Sequence, residues 1–201
     1  MFHKTPAEFE KRTTEQQAHV PHLNVGFAKF DVSQTPWFQQ LHDHYRAHEK
    51  DFHPEGPNPF LLNIDPEKPA AMLYEDFDFN ARLHQTLQLM HETWCGRHLV
   101  PTACYGMRMY LPGAYLFNHV DRIDTHVVSS TLCIAQDLEE RWPLYIEDRH
   151  GVPHEIDINP GEIVFYESAK LKHGRPYDLQ GNLYVGQFIH YRLSDEIFSE
   201  R

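Results

Sequence analysis

The feature that most constrains this chain is the series of short strand-like runs filling its second half. From Cys104 onward, turn signals recur at Pro112-Gly113, His150-Gly151, Pro160-Gly161 and Gln180-Gly181-Asn182. Between them the runs 104–111, 114–120, 126–135, 143–147, 153–158, 162–167 and 183–192 have the apolar and β-branched make-up of strands. So many short strands so closely spaced must bury one face against another sheet, which predicts a β-sandwich or barrel.

The first hundred residues read differently. Thr5-Pro6-Ala7-Glu8 is a helix start with Thr5 as cap, and the helix it opens, to about residue 18, has few apolar positions and would be mostly solvated. Residues 25–32 alternate as a strand does, and 33–49 is helical with Trp37, Leu41 and Tyr45 on one face. Three prolines and a glycine make 51–59 a loop, followed by two short strand-like runs, 60–64 and 70–74. Asn80 then caps a helix whose apolar side carries Leu83, Leu87, Met90 and Trp94, and Gly96 stops it. The expected class is α+β and mainly β in its C-terminal half. At 201 residues, a single domain is expected over 1–201, with a helical and mixed extension over 1–100 and a β core over 104–192.

Charge narrows the partners. With 18 basic against 29 acidic residues the net charge is −11, a field that repels phosphate backbones and anionic membrane surfaces, so nucleic acid is not an expected partner. No window approaches the ~18 consecutive apolar residues of a membrane span, and the charged first residues do not read as a secretory signal. Cys95, Cys104 and Cys133 are an odd set without a CxxC pair, which suits unpaired thiols in a reducing compartment; the expected location is cytoplasmic.

Chemistry is suggested by two His-x-acid triplets, His53-Pro54-Glu55 and His119-Val120-Asp121. On a strand, residues i and i+2 share a face, so two ligands can converge on one ion. The first triplet has proline at its centre and lies in a loop. The second follows the strand–turn–strand pattern around Pro112-Gly113, and His173 supplies a third donor after the turn and apolar strand from Pro160 to Ser168. Two imidazoles and one carboxylate leave positions open on the ion, an arrangement suited to non-heme iron(II). With 16 histidines in the chain, such spacings also arise by chance, so the surrounding pattern must carry the assignment.

It does so in one respect. Tyr110 nine residues before His119, then His119-Val120-Asp121, Pro160-Gly161, His173-Gly174 and a last strand over 181–191 occur in the order seen in prolyl 4-hydroxylase-like 2-oxoglutarate oxygenases. The segment 105–192, a little under half the chain, resembles the catalytic domain of that family. The resemblance implies a double-stranded β-helix, or jelly-roll, with the N-terminal helices packed on it. It implies Fe(II), 2-oxoglutarate and O2 as cofactors, with a small-molecule or peptide substrate hydroxylated at an unactivated carbon.

One departure stands out: the family's late lysine or arginine, nine or ten residues after the second histidine, is replaced by Asn182 and Leu183. A buried dicarboxylate needs a cation. Arg175 is the first candidate, its planar fork suiting a carboxylate; Arg108, on the same strand face as Tyr110, is the second. Tyr110 is either a core aromatic or a cosubstrate contact, and Arg122 either meets substrate or pairs with Asp124. His44 and His48 lie four apart on a helix without a third ligand. A halogenase is excluded by Asp121, since halide would need its place. A zinc or manganese hydrolase or isomerase on the same three ligands, and a non-catalytic metal-binding module, remain as alternatives.

Overall fold

The computed structural model describes residues 1–194; residues 195–201 of the expected domain lie outside the described residues. Two antiparallel sheets pack face to face. The larger has the order β1 (Phe27–Asp31), β10 (Glu162–Tyr166), β7 (Val128–Leu138), β12 (Gly181–Leu193), β5 (Leu99–Tyr110), β4 (Ala71–Leu73), β2 (His53–Pro54). The smaller runs β3 (Leu61–Asn63), β6 (Ala114–His119), β11 (His173–Arg175), β8 (Leu144–Glu147), β9 (Pro153–Ile156).

Strand alternation feeds two cores. Along β10, Ile163 and Phe165 point to a cluster shared with α2 (Pro36–Ala47) and α3 (Phe77–Cys95), where Phe38, Leu41, Leu83 and Leu87 are buried. Val164 and Tyr166 point the other way, into the space between the sheets, with Ala114, Leu144 and Ile146 of the smaller sheet. The larger sheet is therefore covered on both faces, which is why β7 is buried continuously from Val128 to Ile134 instead of alternating. This is the α+β jelly-roll architecture expected, with α2 and α3 on the larger sheet and α1 (Ala7–His19) against β6 of the smaller.

The local corrections have physical causes. The strands β1 to β4 come from the first hundred residues and extend the edges of both sheets, and β5 starts at Leu99, ahead of the expected residue 104. The 51–59 loop contains the two-residue strand β2, paired with β4. Asn80 is not the cap of α3: Asp76 accepts from the Phe79 N–H at 2.9 Å, while buried Asn80 donates to the Gly106 carbonyl (3.1 Å) and accepts from Gln187 (3.0 Å). Gly96 ends the helix at φ 65°, as expected. Thr5 does not cap α1 (Ala7–His19) either; Pro6 holds that position and the Thr5 hydroxyl donates to the Asn118 carbonyl at 3.1 Å. The three-residue β11 has too little pattern to be read from sequence. The three cysteines are free, and among the described residues no helix is long and apolar enough to cross a membrane.

One core histidine makes stability depend on pH. His91 is fully buried on α3, its Nδ1 bonded to the Leu87 carbonyl (2.8 Å), its Nε2 2.8 Å from the Ser130 hydroxyl and its ring stacked on Phe165. Burial pushes its pKa down to about 4 from 6.5, the Leu87 carbonyl opposing that only in part. The unfolded chain then binds more protons between those values, so stability is full above pH 6.5 and falls as pH drops to about 4. Chemical denaturation at a series of pH values should show that decline, and His91→Gln should make it shallower, with buried His173 and His190 contributing the remainder.

Candidate metal centre

The site is assembled across the smaller sheet. β6 and β11 are neighbours, and in their register His173 pairs directly with His119. The pairing demands close approach of the chains next to it: a Cβ at Gly174 would meet Asn118 Oδ1 at 2.6 Å and the Phe117 carbonyl at 2.8 Å, so only glycine fits after His173. β6 ends at His119, so Asp121 reaches the site from the loop beyond the strand, its N–H donating to the Ser168 carbonyl at 2.9 Å.

The donor atoms of His119, Asp121 and His173 all lie within 4.8 Å of one another. Each ring is oriented by a backbone bond: Nδ1 of His119 to the Phe117 carbonyl at 2.7 Å, and Nδ1 of His173 to the Leu171 carbonyl at 2.8 Å. A carbonyl can only accept, so Nδ1 carries the proton and Nε2 keeps its lone pair. Both Nε2 atoms face the Asp121 carboxylate, at 3.5 Å and 3.8 Å. Burial pushes the pKa of His173 down to about 4 despite Asp121. Burial alone would raise the Asp121 carboxyl, but His173, His119 and His190 together hold it well below the usual carboxylate range. A divalent metal takes imidazole nitrogens and an ionised carboxylate, and two Nε2 atoms facing the Asp121 carboxylate fit such an ion. No other grouping of this kind occurs among the described residues; His44 and His48 instead lie against Phe79 and Tyr74.

The three residues open on a cavity of about 240 Å³ between the sheets, also lined by Tyr105, Arg108, Tyr110, Tyr166, Arg175, Phe188 and His190. The two candidate cations differ in what they already hold. Arg108 donates through Nε and Nη2 to Glu55 at 2.6 Å and 2.5 Å, so its charge is matched. Arg175, 3% exposed, lies between the rings of Trp142 (4.5 Å) and Tyr184 (4.2 Å). Its Nη1 donates to the Trp142 carbonyl, while Nη2 is buried without a partner, and among the described residues no carboxylate pairs with it. An unpaired buried guanidinium on a cavity wall is costly unless an anion completes it. Asn182 bonds Asp137 (2.8 Å) and Leu183 packs toward the helices, so neither serves the cavity.

Tyr110 is 1% exposed and packs against Trp142 and Tyr184 while lining the cavity. Arg122 lines it too, with its guanidinium exposed and paired to Asp124 at 3.0 Å. The triplet at His53 does not form a site: His53 is exposed, and Glu55 is spent on Arg108. Sequence reasoning missed His190 and His126. His190 is buried, its Nδ1 2.6 Å from the Ser129 hydroxyl and 3.9 Å from Asp121, its ring 3.9 Å from that of His126, and its Nε2 without a partner. Its i+2 relation to Phe188 on β12 was the available signal.

No family model matches this sequence, and no curated protein matches it. Solved structures do. A Pseudomonas putida prolyl-4-hydroxylase is similar with a TM-score of 0.61 at 18% identity, over 91% of this chain and 98% of that one. A 2OG-Fe(II) oxygenase family oxidoreductase from Burkholderia pseudomallei gives 0.58 at 12% identity, over 90% and 89%. HygX from Streptomyces hygroscopicus, solved with nickel, 2-oxoglutarate and hygromycin B, gives 0.59 at 12% identity, over 95% and 88%. At such identities the likeness establishes the fold: the chain is a double-stranded β-helix of the kind these proteins have.

Proposed function

We propose that this chain is an iron(II)- and 2-oxoglutarate-dependent oxygenase that hydroxylates an unactivated C–H bond of a small-molecule or peptide substrate. One observation carries the reading: an open set of two histidines and a carboxylate shares a buried cavity with an arginine whose guanidinium has an unpaired buried nitrogen. A metal with vacant positions and an anion-binding cation in one enclosure suit a dicarboxylate cosubstrate. His119, Asp121 and His173 would hold the metal, and Arg175 the far carboxylate of 2-oxoglutarate.

Iron(II) with 2-oxoglutarate and dioxygen supplies the oxidising chemistry, with decarboxylation to succinate. The protein's share is orientation and enclosure. The Phe117 and Leu171 carbonyls accept from the two Nδ1–H groups and so aim both Nε2 atoms inward. Tyr110, Tyr166 and Phe188 wall the cavity against water. His190, its pKa held well below 6.5 by burial, has Nδ1 on the Ser129 hydroxyl and keeps a buried Nε2 without a partner on the cavity wall, free for a polar group of whatever occupies the cavity. Arg108 keeps the wall electrically balanced through Glu55.

The test is an anaerobic titration with iron(II) and then 2-oxoglutarate, followed by the weak visible charge-transfer band of the chelate. A band that needs both additions, and succinate formation once oxygen is admitted, are the expected results. Tight zinc or manganese binding with no band and no succinate would move the assignment to a hydrolase or isomerase on the same ligands.

A further inference from the structure

Helix α1 packs differently from α2 and α3. Of its thirteen residues only Thr13 is buried, so it contributes almost nothing to either core. A helix of that length is marginal in water by itself. Apart from the Phe9 ring against Phe60 (4.7 Å), what holds it is polar, and those anchors fall close to the metal-ligand candidates. At its leading end Thr5 donates to the Asn118 carbonyl (3.1 Å), one residue before His119. Gln17 donates to the Lys170 carbonyl (3.0 Å), Lys170 returns a bond to the Gln17 carbonyl, and Lys172 pairs with Glu10 at 2.8 Å. Beyond its trailing end, the buried Glu167 carboxylate accepts from the N–H groups of Leu23 (2.7 Å), Val25 (3.0 Å) and Gly26 (2.7 Å).

Gln16 lies at the centre of this arrangement. Its Nε2 donates to the carbonyl of Asp121 at 2.6 Å and to that of Ala169 at 2.9 Å. One amide nitrogen with two hydrogens thus bridges the loop carrying Asp121 and the turn that leads into His173. Those two segments also meet directly, through the Asp121 N–H to Ser168 carbonyl bond at 2.9 Å and the Ser168 hydroxyl to His126 carbonyl bond at 2.7 Å. Asp121, lying past the end of β6, lacks the ladder that fixes the two histidines and depends on these loop contacts for its place.

We propose that α1 is a positioning strap for the metal centre, with Gln16 the positioning residue that sets Asp121 against His173. The proposal rests on the metal-site reading above. Coupling of this kind is reciprocal: docking of α1 raises metal affinity, and metal holds α1 down.

The experiment uses the full chain, anaerobically, with cobalt(II) alone as the probe, its visible bands reporting ligand geometry. Gln16→Leu keeps the bulk and removes both N–H groups. Expected are a roughly 10–100-fold weaker cobalt affinity, the scale for loss of an outer-shell partner, an altered band pattern, and an unchanged melting temperature without metal. In the wild-type chain, cobalt should slow amide exchange across residues 7–19, and in Gln16→Leu that slowing should be lost. Should the variant fold poorly, the wild-type exchange measurement still decides. Wild-type affinity and bands in Gln16→Leu, or exchange in α1 indifferent to cobalt, would overturn the strap while leaving the metal site standing. Cobalt binding unaffected by His173→Ala would overturn the metal site and the strap together.

Discussion

His119→Ala is expected to abolish metal binding at this site and, with it, conversion of 2-oxoglutarate to succinate. Losing an outer-shell partner of a ligand costs ~10–100-fold in affinity; removing one of only three protein donors costs more. The readout need not be activity. Metal at a hundred times its Kd stabilises a folded chain by about 2.7 kcal/mol, roughly 5–10 °C in Tm for a protein of this size. The wild-type chain should show that rise and the variant should not. Because the His119 ring is only 14% exposed and packs against Phe60 and His173, the metal-free melting temperature of the variant is the baseline from which its metal-dependent rise is read. A metal-dependent rise that survived in His119→Ala would remove this residue from the site.

Arg175→Leu and Arg108→Leu should fail in opposite ways. Truncating one side of a buried, hydrogen-bonded charge pair costs about 2–5 kcal/mol, so Arg175→Leu should weaken 2-oxoglutarate binding by roughly 30-fold to several thousand-fold. Its stability should change little, since the lost contacts with Trp142 and Tyr184 are offset by relief of an unpaired buried cation. Arg108→Leu instead strands the Glu55 carboxylate, whose side chain is only 15% exposed. Breaking a buried pair in this way costs about 3–5 kcal/mol of stability. Calorimetric Kd values for 2-oxoglutarate and melting temperatures, measured on both variants, separate the two. If Arg108→Leu lost the ligand and Arg175→Leu kept it, the roles assigned to the two arginines would be exchanged.

The sequence by itself determined the elements whose signals are local. Short apolar and β-branched runs between Pro-Gly and Gly-Asn turns marked most of the longer strands, whereas three-residue β11 left no pattern and β7 is buried on both faces without alternation. Gly96 marked the end of α3 because a left-handed φ is a property of one residue. The His119, Asp121 and His173 pattern was legible through the ordered motifs around it, although the same-face spacing expected of a strand does not place Asp121, which lies in the loop beyond the end of β6.

Only the tertiary structure decided the rest. Nothing near Arg108 in sequence announces Glu55, fifty-three positions away, and nothing near Arg175 announces the rings that flank it, so which arginine is already neutralised is a fact of the folded chain. Thr5 and Asn80 carry good capping chemistry, yet each makes a longer-range bond instead, to Asn118 and to Gly106 and Gln187. His190 and the α1 strap stayed hidden likewise. Their meaning lies in partners brought within hydrogen-bond reach by sheet packing, and chain distance carries no record of that.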